Sequence, residues 1–149
     1  LLLITGVGVL MQLIIDLGGI KMLAAALISI MNEKTATAIM GITSGIMSWF
    51  SSTSGVVMPT LIPTIPHIVS EFPGVSKLEL ATAITMISNT AGISPLSTGG
   101  ALALAAYSSA ANAGQKEQQE LFVKMFAISA AGVLVLSVLS YFGLYRWLL

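Results

Sequence analysis

The chain has 149 residues, of which 56% are hydrophobic and only 8% charged, and its formal net charge is zero. A soluble domain carries about 25% charged residues and does not tolerate so much apolar surface. The composition therefore points to an integral membrane protein and excludes a cytosolic enzyme, a nucleic-acid binder and a disordered chain. Cysteine is absent, which excludes a disulfide framework, a thiolate nucleophile and a Cys-ligated metal.

At ~1.5 Å per residue and a ~30 Å hydrocarbon core, the chain makes at most about seven crossings, and loops and breaks lower this to roughly three or four elements. It opens on Leu1 inside an apolar run, with neither Met nor a basic segment. That does not read as a signal peptide; the expectation is a fragment cut within a transmembrane helix, residues 1–15. Asp16-Leu17-Gly18-Gly19 interrupts. Met22 to Met31 then reads as a short interfacial helix, too brief to cross; one long helix through the glycines is the alternative.

Thr35 to Phe50 is the next helical stretch, with Gly41 and Gly45 at the spacing that lets helices approach closely. The small polar tract Ser51-Ser52-Thr53-Ser54-Gly55 follows, and then Pro59, Pro63 and Pro66. Prolines at that density prevent a long regular helix. As one helix, 35–66 would be about 48 Å long, more than a ~30 Å core needs. Two arms folded back at 51–55 fit better, so 35–66 reads as a re-entrant helical hairpin. Irregular backbone at membrane depth is allowed only beside protein or a water-filled cavity, and the tip is a binding-site candidate for that reason.

His67 to Glu79 reads as an interfacial loop. A broken transmembrane helix is expected over 78–112, interrupted from Ser88 through Ser94-Pro95-Leu96-Ser97-Thr98 to Gly100. Asn112 to Glu120 reads as a solvated loop, and 121–149 as the last transmembrane helix, with Tyr141, Tyr145 and Trp147 as an aromatic belt and Arg146 as an anchor. The alternating ten-residue segments of a membrane barrel are missing. The fold class is an all-α integral membrane protein with transmembrane helices, a re-entrant hairpin and a broken helix.

The polar tracts Ser51-Ser52-Thr53-Ser54-Gly55 and Ser88-Asn89-Thr90-Ala91-Gly92 share the pattern Ser-x-Thr-small-Gly, each with a proline soon after, and start 37 residues apart. Unwound carbonyls together with Ser, Thr and Asn oxygens replace the hydration shell of a small hard cation such as Na⁺. Helix N-termini, hydroxyls and the Asn89 amide donate to an anionic group. Isolated hydroxyls carry a plainer reading: Ser29, Thr43, Ser44, Ser48, Thr82, Thr85, Ser129 and Ser137 are expected to bond to their own backbone or a neighbouring helix. His67 and Asp16 read as surface or loop residues, and the eight methionines as core filler. Glu117 and Glu120 form no metal motif. An intramembrane enzyme would need an activated nucleophile or a metal, and neither is evident, so enzymatic activity and a cofactor are not expected. A structural membrane subunit is a further alternative, against which the two breaks count.

The segment from Thr35 to Thr98 resembles the second half of a divalent-anion/sodium symporter-type permease of the ion-transporter superfamily, and most closely the bacterial dicarboxylate (malonate) carrier branch. The likeness rests on Ser51-Ser52-Thr53-Ser54-Gly55-Val56-Val57-Met58-Pro59 at a hairpin tip, Ser94-Pro95-Leu96-Ser97-Thr98 at a helix break, and the short helix before them. The tip has Ser52 where the family pattern has Asn, and the literal Ser-Asn-Thr is Ser88-Asn89-Thr90. The resemblance implies one of two inverted repeats and elevator-type alternating access in the bacterial inner membrane. It implies substrate binding at Ser51, Ser52, Thr53, Ser94, Pro95, Ser97 and Thr98. Ser52, Thr53, Ser54, Gly55, Asn89 and Thr90 are the ion-binding candidates, with Na⁺ as coupling ion. Expected partners are a small organic anion, membrane lipid, the N-terminal half of the same transporter and, as one option, a second copy; nucleic acid is not expected. Proton coupling, exchange, a cation/proton antiporter and an oxyanion permease stay open as alternatives.

Overall fold

The computed structural model describes residues 2–111, 113–143 and 145, and among these it is all-helical, with no strand. In chain order the helices are α1 (Leu2–Asp16), α2 (Gly19–Ile28), α3 (Ala36–Trp49), α4 (Met58–Leu61), α5 (Ile65–Glu71), α6 (Lys77–Ala91), α7 (Thr98–Ala110) and α8 (Gln115–Tyr141). Gly18 sits at φ 75°, a left-handed conformation open to glycine at little cost, and it separates α1 from α2. The short helix therefore starts at Gly19 rather than Met22.

Two helices running in parallel form the centre. Thr37 of α3 meets Glu79 of α6 at 3.2 Å, Ser44 meets the Ile84 carbonyl at 3.2 Å, and Ser48 meets the Ser88 carbonyl at 2.7 Å. The partners advance together, so the starts of α3 and α6 share one end of the molecule and their C-termini share the other. Gly41 and Gly45 make this proximity feasible. The Ile87 side chain fills the space a Cβ on Gly41 would take, and a Cβ on Gly45 would lie 2.8 Å from Val133 Cγ1 of α8. α8 crosses in the opposite sense, with Ser129 beside Trp49 and Ala91, and Gly132 against Thr90.

Between α3 and α6 the chain reverses at 50–52 and stays helical from Thr53 to Glu71, through a π-helical turn (Thr53–Val57), α4, a 3₁₀ turn (Ile62–Thr64) and α5. The prolines do not stop it, because each occupies the first turn of its own short segment, where no helical N–H is required. Val57, Leu61, Ile65 and Ile68 of this arm join Ala36, Met40, Leu80 and Ile84 in the main core. The arm thus returns to the starting ends of α3 and α6 and extends beyond residue 66; His67 is helical, and the connection to α6 is only 72–76.

Two further boundaries differ from expectation. Helix α6 runs on through Ser88, Asn89 and Thr90 to Ala91, and α8 starts at Gln115, so 115–120 is helix instead of loop. Gln, Lys and Glu are good helix formers, and their polarity says only that this first part of α8 meets water. α8 is the one helix among the described residues long and apolar enough to cross a membrane. Only its stripe Ser129, Val133, Ser137 and Ser140 is buried. Tyr141 is exposed and Tyr145 is buried, while Arg146 and Trp147 lie outside the described residues.

The packing makes opposite predictions for two glycines. Gly45→Val forces Val133 and Ile87 apart and should cost about 1–3 kcal/mol. Gly8→Ala, with no atom within 4 Å of the new Cβ, should be neutral or stabilise by up to about 1 kcal/mol through helix propensity. Thermal unfolding of both variants in detergent checks the contrast.

Candidate functional site

The first polar tract forms where α3 ends. The Ser51 hydroxyl donates back to the Met47 carbonyl at 2.6 Å, closing the last turn. Ser52 is extended (φ −91°, ψ 128°) and caps the returning arm: its Oγ accepts the Gly55 N–H at 3.2 Å. Its carbonyl accepts the N–H groups of Val56 and Val57 at 2.9 and 3.2 Å. Thr53 faces sideways into α6. Its Oγ1 lies 2.9 Å from the Ser88 carbonyl and 2.7 Å from Ser48 Oγ, which is itself 2.7 Å from that carbonyl. Two hydroxyl protons serve these three oxygens, so at least one hydroxyl donates to the carbonyl at any time. The Gly92 N–H donates to the same carbonyl at 2.9 Å.

The second tract forms where α6 gives way to α7. Ser88, Asn89 and Thr90 remain helical because each side chain turns back on its own helix. Ser88 Oγ donates to Thr85 O at 3.3 Å, Asn89 Nδ2 to Thr85 O at 2.8 Å, and Thr90 Oγ1 to Met86 O at 3.0 Å. The actual break is 92–97. Ser97 Oγ lies 2.6 Å from Gly92 O and 2.8 Å from Ser94 O, and it accepts the Gly100 N–H at 3.0 Å, capping α7. Ser94 Oγ accepts the Leu96 N–H at 3.2 Å. Gly100 is required here, since a Cβ would overlap the Ser94 carbonyl. Its neighbour Gly99 meets only Gly92 O at 3.8 Å and leaves the backbone bare.

Helix α8 ties the two tracts together from the outside. Trp49 Nε1–H donates to Ser129 Oγ at 3.0 Å, and Ser129 Oγ donates to the Ala91 carbonyl at 3.0 Å. Phe126 packs on the indole, with ring centroids 5.6 Å apart. The last residues of α3 and α6 are thereby held to one point on α8.

A cavity of about 320 Å³ opens between the tracts, at the lower end of the ~300–1,000 Å³ usual for small-molecule sites. Its walls bring together Ser51, Ser52, Thr53 and Ser54 from the first tract and Asn89 and Ser97 from the second. Gly55, Thr90, Ser94, Pro95 and Thr98 are not in the walls. Gly55 donates its N–H to Ser52, and Thr90 points at Gly132. Ser94 and Pro95 are buried inside the break, and Thr98 is exposed at the start of α7. Gly92, which closes the second Ser-x-Thr-small-Gly tract, completes the lining together with Ile93 and Gly99, neither of which is a site candidate from sequence. The two glycines have only backbone to contribute, and the sequence marks them through the tract that ends at Gly92 and the adjacent glycines 99 and 100.

No wall residue carries a formal charge. Polarity comes from helix ends. The first N–H groups of the returning arm and of α7 lack intrahelical carbonyls, and Ser52 and Ser97 satisfy only some of them, leaving Thr98 and Gly99 free of any helical partner. The C-terminal carbonyl ends of α3 and α6 add partial negative charge. Asn89 spends an amide proton on Thr85, which keeps its Oδ1 available as an acceptor. The arrangement offers donors for an anionic group and oxygens for a small cation side by side.

Two substitutions separate construction from contact. Thr53→Val should lose about 1–2 kcal/mol by removing the tie to Ser88. Gly100→Ala should cost more, because backbone blocks the Cβ, whereas Gly99→Ala should fold normally. Thermal unfolding in detergent ranks the three. In comparisons with known proteins, no family model, curated protein or solved structure matches the chain.

Proposed function

We propose that this chain is one repeat of a multi-pass secondary transporter that carries small organic anions, C3 or C4 dicarboxylates, across a bacterial inner membrane with Na⁺ as coupling ion. One observation carries the reading: two polar tracts 37 residues apart in sequence line a single uncharged cavity between interrupted helices. Interrupted helices whose ends face a common polar space are the means by which secondary transporters bind solutes at membrane depth.

In this reading α3 and the returning arm form a re-entrant hairpin, α6 and α7 form a broken transmembrane helix, and α8 spans the bilayer. A substrate carboxylate takes the N–H groups at the start of α7 together with the Ser52 and Ser54 hydroxyls. Na⁺ takes carbonyl oxygens at the ends of α3 and α6 together with Asn89 Oδ1. Thr53 and Ser97 are positioning residues, because their hydroxyls are engaged in holding the breaks. Transport then follows from alternating access, in which the hydrogen-bonded unit of α3, the arm, α6 and α7 moves as one body against the rest of the transporter. The walls lack any titratable side chain, which favours a metal cation over a proton as the ion bound here.

Uptake of a radiolabelled C4-dicarboxylate into proteoliposomes containing the full-length transporter tests this. Ser52→Leu and Asn89→Leu should each lower uptake by roughly a hundredfold, as expected when a bulky apolar group fills a site built of hydrogen-bonding groups. Replacing Na⁺ by choline at fixed pH should stop it. Uptake unchanged by either substitution would overturn the assignment of the cavity, and uptake that persists in choline would overturn Na⁺ coupling.

A further inference from the structure

The three glycines at the break between α6 and α7 are held in different ways. A Cβ on Gly100 would overlap the Ser94 carbonyl, and a Cβ on Gly92 would lie 3.1 Å from the Asn89 carbonyl oxygen and 3.4 Å from Thr53 Oγ1. Close packing accounts for both. Gly99 has no such reason. A Cβ there meets only the Gly92 carbonyl oxygen, at an ordinary contact distance of 3.8 Å. Its backbone does not call for glycine either, since the positive-φ glycines among the described residues are Gly18 and Gly143. Glycine also weakens a helix relative to alanine, and Gly99 is the second residue of α7. The fold alone favours a side chain at this position.

What Gly99 does have is a place in the cavity wall. It is exposed and lines the cavity between the polar tracts, and so does Gly92, the one residue its Cβ would approach. The direction left open at Gly99 therefore runs along the wall and away from the packed interior. The neighbouring peptide groups give that opening a use. The Thr98 and Gly99 N–H groups have no helical partner, while the next N–H, that of Gly100, is taken by Ser97 Oγ at 3.0 Å. A bare Cα lets a ligand atom come close to backbone donors. A methyl group in its place would occupy room beside those donors and hold a carboxylate away from them by about one carbon.

We propose that Gly99 is the specificity-determining residue of this cavity: its missing side chain is the room in which a C4 dicarboxylate reaches the N–H groups at the start of α7, and any side chain at 99 shortens that space and shifts preference to C3. The proposal rests on the reading of the cavity as a dicarboxylate site and adds to it the element that selects chain length. Thr98 and Gly99 supply the donors, and the bare Cα sets how far the carboxylate stands from the serines of the first tract. Gly100, which packs against Ser94, takes no part in the selection.

Uptake of radiolabelled succinate (C4) and malonate (C3) into proteoliposomes containing the full-length transporter tests the proposal. One methylene in a fitted site changes relative preference by roughly tenfold or more, so Gly99→Ala should raise the KM of succinate relative to that of malonate by about that factor. Its melting temperature should stay at or above that of the unsubstituted protein, whereas a purely structural glycine would lower it and impair both acids alike. Gly114→Ala, outside the wall, should leave the ratio unchanged. Thiol accessibility gives a second reading. The chain has no cysteine, so Gly99→Cys places a single thiol in it, with Gly114→Cys as the exposed control. A small methanethiosulfonate reagent should modify both, and succinate should slow only the first. No modification of Gly99→Cys, or an unchanged ratio of succinate to malonate KM in Gly99→Ala, would overturn the proposal. Modification that neither acid slows, in a transporter that takes up neither, would overturn the dicarboxylate reading on which it rests.

Discussion

Broken helices inside an apolar bundle persist only when the peptide groups exposed by the break find partners. In this chain that condition centres on one atom, the Ser88 carbonyl oxygen. Ser48, Thr53 and Gly92 converge on it from α3, from the start of the returning arm and from the break after α6. Because α3 and α6 are parallel, this single acceptor lies level with both interruptions. It joins them directly, so neither break is an isolated defect. The cavity between the tracts follows from that junction.

Small residues set the geometry around it. Gly41 and Gly45 bring α3 close to Ile87 and Val133, and Gly132 brings α8 against Thr90. The resulting proximity lets short side chains reach across helices: Ser44 reaches Ile84, and Ser129 reaches Ala91. Serine is in this respect the structural partner of glycine, one allowing approach and the other using it. The large apolar side chains are concentrated elsewhere, in the core formed by Met40, Leu61, Ile68, Leu80 and Ile84. That core anchors the returning arm and leaves the opposite end of the bundle polar.

The two interruptions were legible in the sequence because Ser, Gly and Pro cluster there, and clustering survives without knowledge of the fold. The parallel course of α3 and α6 was not legible, since nothing local encodes which helix a hydroxyl will meet. Ser88-Asn89-Thr90 reads as the start of a break for the same reason it is helical: these side chains bond backbone carbonyls, and composition does not say whether the carbonyl belongs to a helix that continues. Ser94 and Ser97 read as ligands, yet Ser97 spends its proton on the break and caps α7, and Ser94 is buried within the break. Glycines 92 and 99 contribute through their backbone, which a search for polar side chains passes over. Gln115 to Glu120 reads as a loop because polar residues serve a solvated loop and an exposed helix turn alike. A second cavity, beside Glu79 at the other end of α3 and α6, depends on residues from three distant stretches of the chain, 33–37, 74–79 and 140–143, and no spacing reveals it.

The first cavity owes its polarity to the ends of helices and to neutral side chains. Peptide dipoles neither gain nor lose protons, so the field they set up in that space is independent of pH. A cavity of this construction presents the same electrostatic face in acidic and alkaline surroundings. Any acid–base sensitivity of what it binds belongs to the ligand's own ionisation. The wall itself stays constant while the solute changes charge.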